Sequence, residues 1–120
     1  TCTTYIKSMQ QRTTQSLPVP IAGYFAHETI DPRALARCFT EDALVIDERQ
    51  EHRGRGAIEA WNASVTAKIA FTTQVLAVET EGGDTVVRAT VSGTFPGSPV
   101  ELRFRFTLTG ELISRLEVAP

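Results

Sequence analysis

The sequence predicts an α+β domain in which helices cover one face of an antiparallel sheet. Two observations predict it. Up to about Ile69, three segments carry apolar residues at three- and four-residue steps, the period of a helix with one buried stripe. From Phe71 onward, apolar and polar residues alternate between turns marked by Gly and Pro, the period of half-buried strands. Helices followed by a run of strands imply one layer of helices on one sheet. A chain of 120 residues suits a single hydrophobic core.

Residues 1–19 are expected to form an arm or tail, in which Tyr5, Ile6 and Met9 could make one apolar patch on a short helix. The domain proper is expected over 20–120. Pro18 and Pro20 end the arm, and Pro20 fits the first turn of a helix over 20–30 carrying Ile21, Tyr24, Phe25 and Glu28. Asp31-Pro32 is a helix-start pair, Asp as cap and Pro at the first helical position, opening a helix over 32–41 with Leu35, Ala36 and Phe39 inward. Ala43–Glu48 reads as a short strand and 49–55 as a polar loop. Ile58, Trp61, Asn62, Val65 and Ile69 mark one face of a third helix over 55–69. Four antiparallel strands should follow. They are Phe71–Thr80, Thr85–Phe95, Val100–Thr109 and Glu111–Val118, with turns at Gly82-Gly83, Pro96-Gly97 and Gly110.

Composition narrows the function classes. Hydrophobic residues make up 42% and charged residues 22%, with a formal net charge of −2 and no block of like charges. That balance gives no basic footprint for nucleic acid or an anionic membrane. No apolar run is long enough to span a bilayer. Cys2 and Cys38 do not make a disulfide framework, and Cys38 within an apolar helical pattern reads as a reduced thiol. Without the apolar centre of a signal peptide near the start, a cytoplasmic location is the expectation.

The stretch Phe39-Thr-Glu-Asp-Ala-Leu-Val-Ile-Asp47, then His52-Arg-Gly-Arg-Gly-Ala-Ile58 and Trp61, resembles the SnoaL-like and ketosteroid-isomerase-like branch of the nuclear transport factor 2-like superfamily. The resemblance runs over about residues 20–118 and takes in the Phe104-Arg105-Phe106 triplet. It implies a cone-shaped, barrel-like fold, with three helices on a strongly curved mixed or antiparallel sheet enclosing one pocket. It does not choose an activity, because the superfamily hosts isomerases, cyclases, dehydratases, epoxide hydrolases and non-catalytic binders.

Two residues carry the candidate chemistry. Asp47 ends the apolar run Leu44-Val45-Ile46 and shares a strand face with Val45. It matches the aspartate that serves ketosteroid isomerases as a proton-transfer base, a role that apolar walls would favour. A structural Asp47 would instead tether the following loop or pair with His52 or Arg53. Tyr24 aligns, with a one-residue gap, with the tyrosine of the isomerase oxyanion hole, where a buried phenol donates to an oxygen gaining negative charge. A tyrosine at such a position can equally fill space in the core. The third isomerase element, a protonated aspartate, aligns with Leu102; Glu101 beside it points to the other strand face. The oxyanion hole of a true isomerase is therefore incomplete.

His27 or Glu28 could reach the pocket from one turn beyond Tyr24, and helical spacing does not say which. His52 lies in a polar loop, beside Asp47 or in solvent. No cofactor motif is present, and neither histidine joins a recognisable metal-ligand spacing. Leu102, Phe104 and Phe106 on one strand, Val91 with Val87, Ala89 and Phe95 on the next, and Trp61 from the third helix are the expected walls. With His27 and His52 they would receive a small hydrophobic molecule. The opposite sheet face carries Arg88, Thr90, Ser92, Glu101, Arg103, Arg105, Thr107, Ile113, Arg115 and Glu117, and is the expected homodimer surface. Two functions follow from these readings: an isomerase, lyase or hydrolase using Asp47 and Tyr24, or a ligand-binding or interaction module in which Asp47 is structural.

Overall fold

The computed structural model describes residues 17–120. Cys2 and the patch expected at Tyr5, Ile6 and Met9 lie outside the described residues. The order is α1 (Val19–His27), α2 (Pro32–Ala36), β1 (Phe39–Asp47), β2 (Gln50–Arg53), α3 (Arg55–Lys68), β3 (Phe71–Glu81), β4 (Asp84–Gly93), β5 (Val100–Thr109) and β6 (Leu112–Ala119). Three helices thus pack on a six-stranded mixed sheet in the order β2-β1-β6-β5-β4-β3.

The expected helix signals operate. Asp31 Oδ1 accepts from Ala34 N at 3.0 Å and Pro32 takes the first helical position. This second helix is shorter than the expected 32–41, because Phe39 has already entered β1, bonded in register to Ile113 of β6. The segment expected as a loop over 49–55 contains β2, which pairs antiparallel with the end of β1. Arg53 and Gly54 then return to β1 through Arg53 Nη1 to Asp42 O at 3.1 Å and Gly54 N to Ala43 O at 2.8 Å. A polar strand at a sheet edge has no buried row to give it a two-residue period, so composition reads as loop.

The sheet is also not wholly antiparallel. The strands β3–β6 form the expected antiparallel meander, but β1 runs parallel to β6, with Val45 opposite Leu116. Ile113, expected on the outer face, is fully buried in the core. The cause is a bulge: between Thr107 and Leu108 the partner on β6 jumps from Arg115 to Ile113. The extra residue reverses the alternation, so Ile113 and Leu116 both point inward. Further register shifts occur between Phe39 and Leu44 and between Val75 and Ala77, and such shifts bend the strands that carry them.

The core fills the space between the layers. Tyr24 of α1 meets Phe25, Phe39, Phe104 and Phe106 edge-on, with ring centroids 5.0, 6.1, 6.3 and 5.5 Å away. Each such pair contributes roughly 0.5–1.5 kcal/mol beyond burial. One close approach demands glycine: a Cβ on Gly93 would lie 2.1 Å from Ala70 O, where the end of β4 crosses the α3–β3 connection. Thr94 N to Ala70 O and Ala70 N to Thr94 Oγ1, both 3.0 Å, pin that crossing.

The outer face carries its charges in pairs. Arg105 bonds Asp84 at 2.9 Å and Glu81 at 3.0 Å, Arg103 also reaches Glu81, Arg88 meets Glu101, and Arg115 meets Glu117. Val86, opposite Arg105 in the ladder, is fully buried although it lies on this face. Long basic side chains cover apolar surface in this way while keeping their heads wet.

Candidate functional site

Asp47 ends β1 on the same side as the fully buried Val45, and is itself half-buried. Its Oδ2 accepts from Trp61 Nε1 of α3 at 3.0 Å, a charge-assisted bond that fixes the carboxylate. His52 comes beside them from β2, its ring centroid 5.9 Å from that of Trp61 and tilted by 31°. Asp47, His52 and Trp61 line a cleft of about 160 Å³ together with Gln50, Ser64 and Lys68. Asp47 pairs with Trp61, and Arg53 with the backbone of Asp42.

The turn behind Asp47 is strained. Asp47 faces Gln50 in the ladder, so Glu48 and Arg49 form a two-residue hairpin loop with φ of 52° and 66°. Such loops favour Asn-Gly because both positions need left-handed backbone. Holding ordinary residues there costs about 1–3 kcal/mol each.

Tyr24 is elsewhere. It is 1% exposed inside the shell of phenylalanines, and burial pushes its hydroxyl well above its ordinary pKa, with the charges of Glu28 and Asp47 adding to the shift. It remains a protonated donor at neutral pH. Its partner is Glu28, one helical turn on, which is 6% exposed. Thr73 of β3 donates to Glu28 Oε1 at 2.9 Å. Burial raises the Glu28 carboxyl from 4.5 to about 7, while the hydrogen bonds from Thr73 and Tyr24 oppose the rise. Asn62 of α3, 2% exposed, donates to Glu28 O at 3.0 Å, and its own Oδ1 is buried without a partner.

The expected site residues therefore fall into groups. Asp47, Trp61 and His52 come together at the cleft. Tyr24, Phe104 and Phe106 are packed together in the core, with Val91 also buried there. Leu102 and His27 are half-buried and do not line this cleft. Of the two residues that could follow Tyr24, Glu28 is the one turned inward. Thr73 and Asn62 were missed as polar partners. Asn62 was legible as part of the inner helix face, but nothing in the sequence pairs it with Glu28 across 34 positions. Among the described residues, no group of three or more acidic, His or Cys side chains could hold a metal ion, and no helix is long and apolar enough to cross a membrane.

A family model that describes a SnoaL-like domain matches residues 23–115. The chain belongs to the SnoaL-like family. Solved structures agree with that assignment. This SnoaL-like domain is 37% identical to a candidate polyketide cyclase from Sinorhizobium meliloti, over 88% of this chain and 97% of that one, with a TM-score of 0.83. A protein of ketosteroid isomerase-like fold from Catenulispora acidiphila is 21% identical over 88% and 87% of the two chains, with a TM-score of 0.77. A Sphaerobacter thermophilus protein is 26% identical over 82% and 90%, at a TM-score of 0.70. Among curated proteins none matches this chain.

Proposed function

We propose that this SnoaL-like protein binds a small carbonyl compound and catalyses a proton transfer on it, with Asp47 as base and Tyr24 as hydrogen-bond donor. The observation that carries this reading is the Asp47 carboxylate, held through Oδ2 by Trp61 on the wall of a cleft. One anchored oxygen leaves Oδ1 to meet a ligand in a fixed orientation. Asp47 removes a proton from carbon next to the carbonyl, and the C–H electrons become the C=C bond of an enolate. Charge moves to the carbonyl oxygen, which the Tyr24 phenol stabilises once the ring shell opens and its O–H turns from Glu28 to the substrate. Returning the proton to another carbon isomerises the substrate; attack of the enolate carbon on a second carbonyl closes a ring, and the new alkoxide oxygen takes the proton back from Asp47. Ring closure on a polycarbonyl chain is the variant that the 37% identical candidate polyketide cyclase favours.

The test is hydrogen–deuterium exchange on a panel of small β-diketones, followed by proton NMR. Asp47→Asn should lower protein-dependent exchange by about 10²–10⁴-fold and leave binding nearly intact, since the amide keeps the shape and takes no proton. Exchange at the parent rate in this variant would remove Asp47 from the mechanism.

A second reading, ligand binding without catalysis, is supported by the closure around Tyr24. With 1% of that residue exposed, its hydroxyl meets a ligand only when the ring shell opens. Saturable binding of β-diketones without any exchange by the unaltered protein would select this reading.

The paired outer face is the surface on which a second copy is proposed to dock. Its arginines are already neutralised within the chain, so the contact would be polar and wet, and should loosen as salt rises. Sedimentation showing a monomer at low salt would exclude the dimer.

A further inference from the structure

We propose that His52 is a second proton carrier in the Asp47 cleft, and that the two residues together remove water from a β-hydroxy carbonyl compound. This step rests on the reading of Asp47 as base and goes beyond it in residue and in reaction.

The sheet edge sets the geometry. Val45 faces His52 and Asp47 faces Gln50 in the antiparallel ladder of β1 and β2. Residues opposite each other in a ladder point to the same side, and so do residues two apart on one strand. The Asp47 carboxylate and the His52 imidazole therefore project toward α3 from neighbouring strands. His52 is the one residue of β2 that is not exposed. The end of its strand is tied to β1 by Arg53 Nη1 to Asp42 O and Gly54 N to Ala43 O. Its ring lies near that of Trp61, whose single N–H goes to Asp47 Oδ2. The indole thus stands beside one group and bonds the other, on the wall of one cleft of about 160 Å³.

Chemistry then decides what the pair is for. Isomerisation and ring closure each need one proton carrier, because the proton that Asp47 takes is the one it gives back. The cleft offers two. An imidazole gives and takes protons near neutrality, which the Gln50 amide and the Ser64 hydroxyl do not. The other charged groups on the cleft are Glu48 of the strained turn and Lys68, the last residue of α3. Loss of water uses a base and an acid together, since hydroxide leaves poorly without a proton. Ring closure supplies the substrate, because the new hydroxyl stands β to the remaining carbonyl. Asp47 takes a proton from the carbon between them, and the C–H electrons form the C=C bond. The C–O bond breaks and its electron pair stays on oxygen. That oxygen takes the His52 proton and leaves as water. The proton on Asp47 then passes to the imidazole through solvent, which restores both groups.

The experiment compares two leaving groups on one ring, using the full chain. β-Hydroxycyclohexanone loses water; its acetate ester loses acetate, which departs as an anion without taking a proton. Both yield cyclohexenone, followed by proton NMR. His52→Phe keeps a ring beside Trp61 and has no proton to give. It should lower the rate of water loss relative to acetate loss by about 10²-fold or more, the scale of a general acid. His52→Gln should lower the same ratio, and acetate loss in each variant reports that the cleft is still folded. Asp47→Asn should slow both eliminations together with hydrogen–deuterium exchange. Equal losses for the two leaving groups in the His52 variants, or water loss at the parent rate, would give His52 a packing role and overturn the proposal. A parent that exchanges hydrogens and eliminates acetate but not water overturns it too, and leaves Asp47 as base. A parent that does none of these overturns both readings.

Discussion

Glu28 and Asp47 are both carboxylates bonded by an aromatic side chain, yet the fold gives them opposite surroundings. Glu28 takes its bond from the Tyr24 hydroxyl and is 6% exposed; Asp47 takes its bond from the Trp61 indole and borders a cleft. Burial raises the Glu28 carboxyl to about 7, where it can keep a proton near neutrality. Asp47 keeps contact with solvent and with anything entering the cleft. The difference lies in position rather than chemistry: one carboxylate projects from the inner stripe of a helix, the other from the end of a strand beside a polar hairpin. Both charges act on the same phenol, so Tyr24 links the two places.

The largest expected effect separates their roles. Asp47→Asn should lower exchange turnover by about 10²–10⁴-fold, the range for losing a general base. Glu28→Gln should leave turnover within roughly tenfold, because in this reading Glu28 supports the Tyr24 donor without touching the reacting carbon. Equal losses in the two variants would break the comparison.

The next effect is on stability. The unfolded Glu28 ionises around 4.5 and the folded one around 7. Between these values the folded state holds a proton that the unfolded state has lost. Raising the pH across this window therefore lowers stability, by a contribution on the order of 3 kcal/mol, which then stays constant above it. Urea unfolding at several pH values should show that slope in the parent and lack it in Glu28→Gln. A parallel dependence in both proteins would mean that Glu28 ionises normally.

A smaller effect belongs to the Asp47 side. Arg49→Gly relieves the left-handed backbone at φ of 66° and should raise stability by about 1 kcal/mol. Loss of exchange activity in a stabilised Arg49→Gly protein would show that the rigid turn aims Asp47. The smallest effect is expected from the outer face, where Arg88→Ala removes a pair with Glu101 that is exposed at both ends, and unfolding should change by less than about 1 kcal/mol.

By itself the sequence determined what rests on local chemistry. Helical spacing set the helices, Asp31-Pro32 set the start of α2, and Gly-marked turns set the β3–β6 meander, because each depends on neighbours within a few residues. Asp47, Trp61 and Tyr24 were legible as candidates through the family motif. Tertiary structure alone decided the rest. The pattern of β1 is the same whether β6 runs beside it in parallel or antiparallel sense, so only the assembled sheet fixed the direction. The bulge opposite Thr107 turned Ile113 inward against strict alternation. Packing also chose Glu28 over His27 for the interior, and set it against Thr73 from 45 positions away and Asn62 from 34. A carboxylate's neighbours and its access to water come from distant segments, and no local pattern in the chain records them.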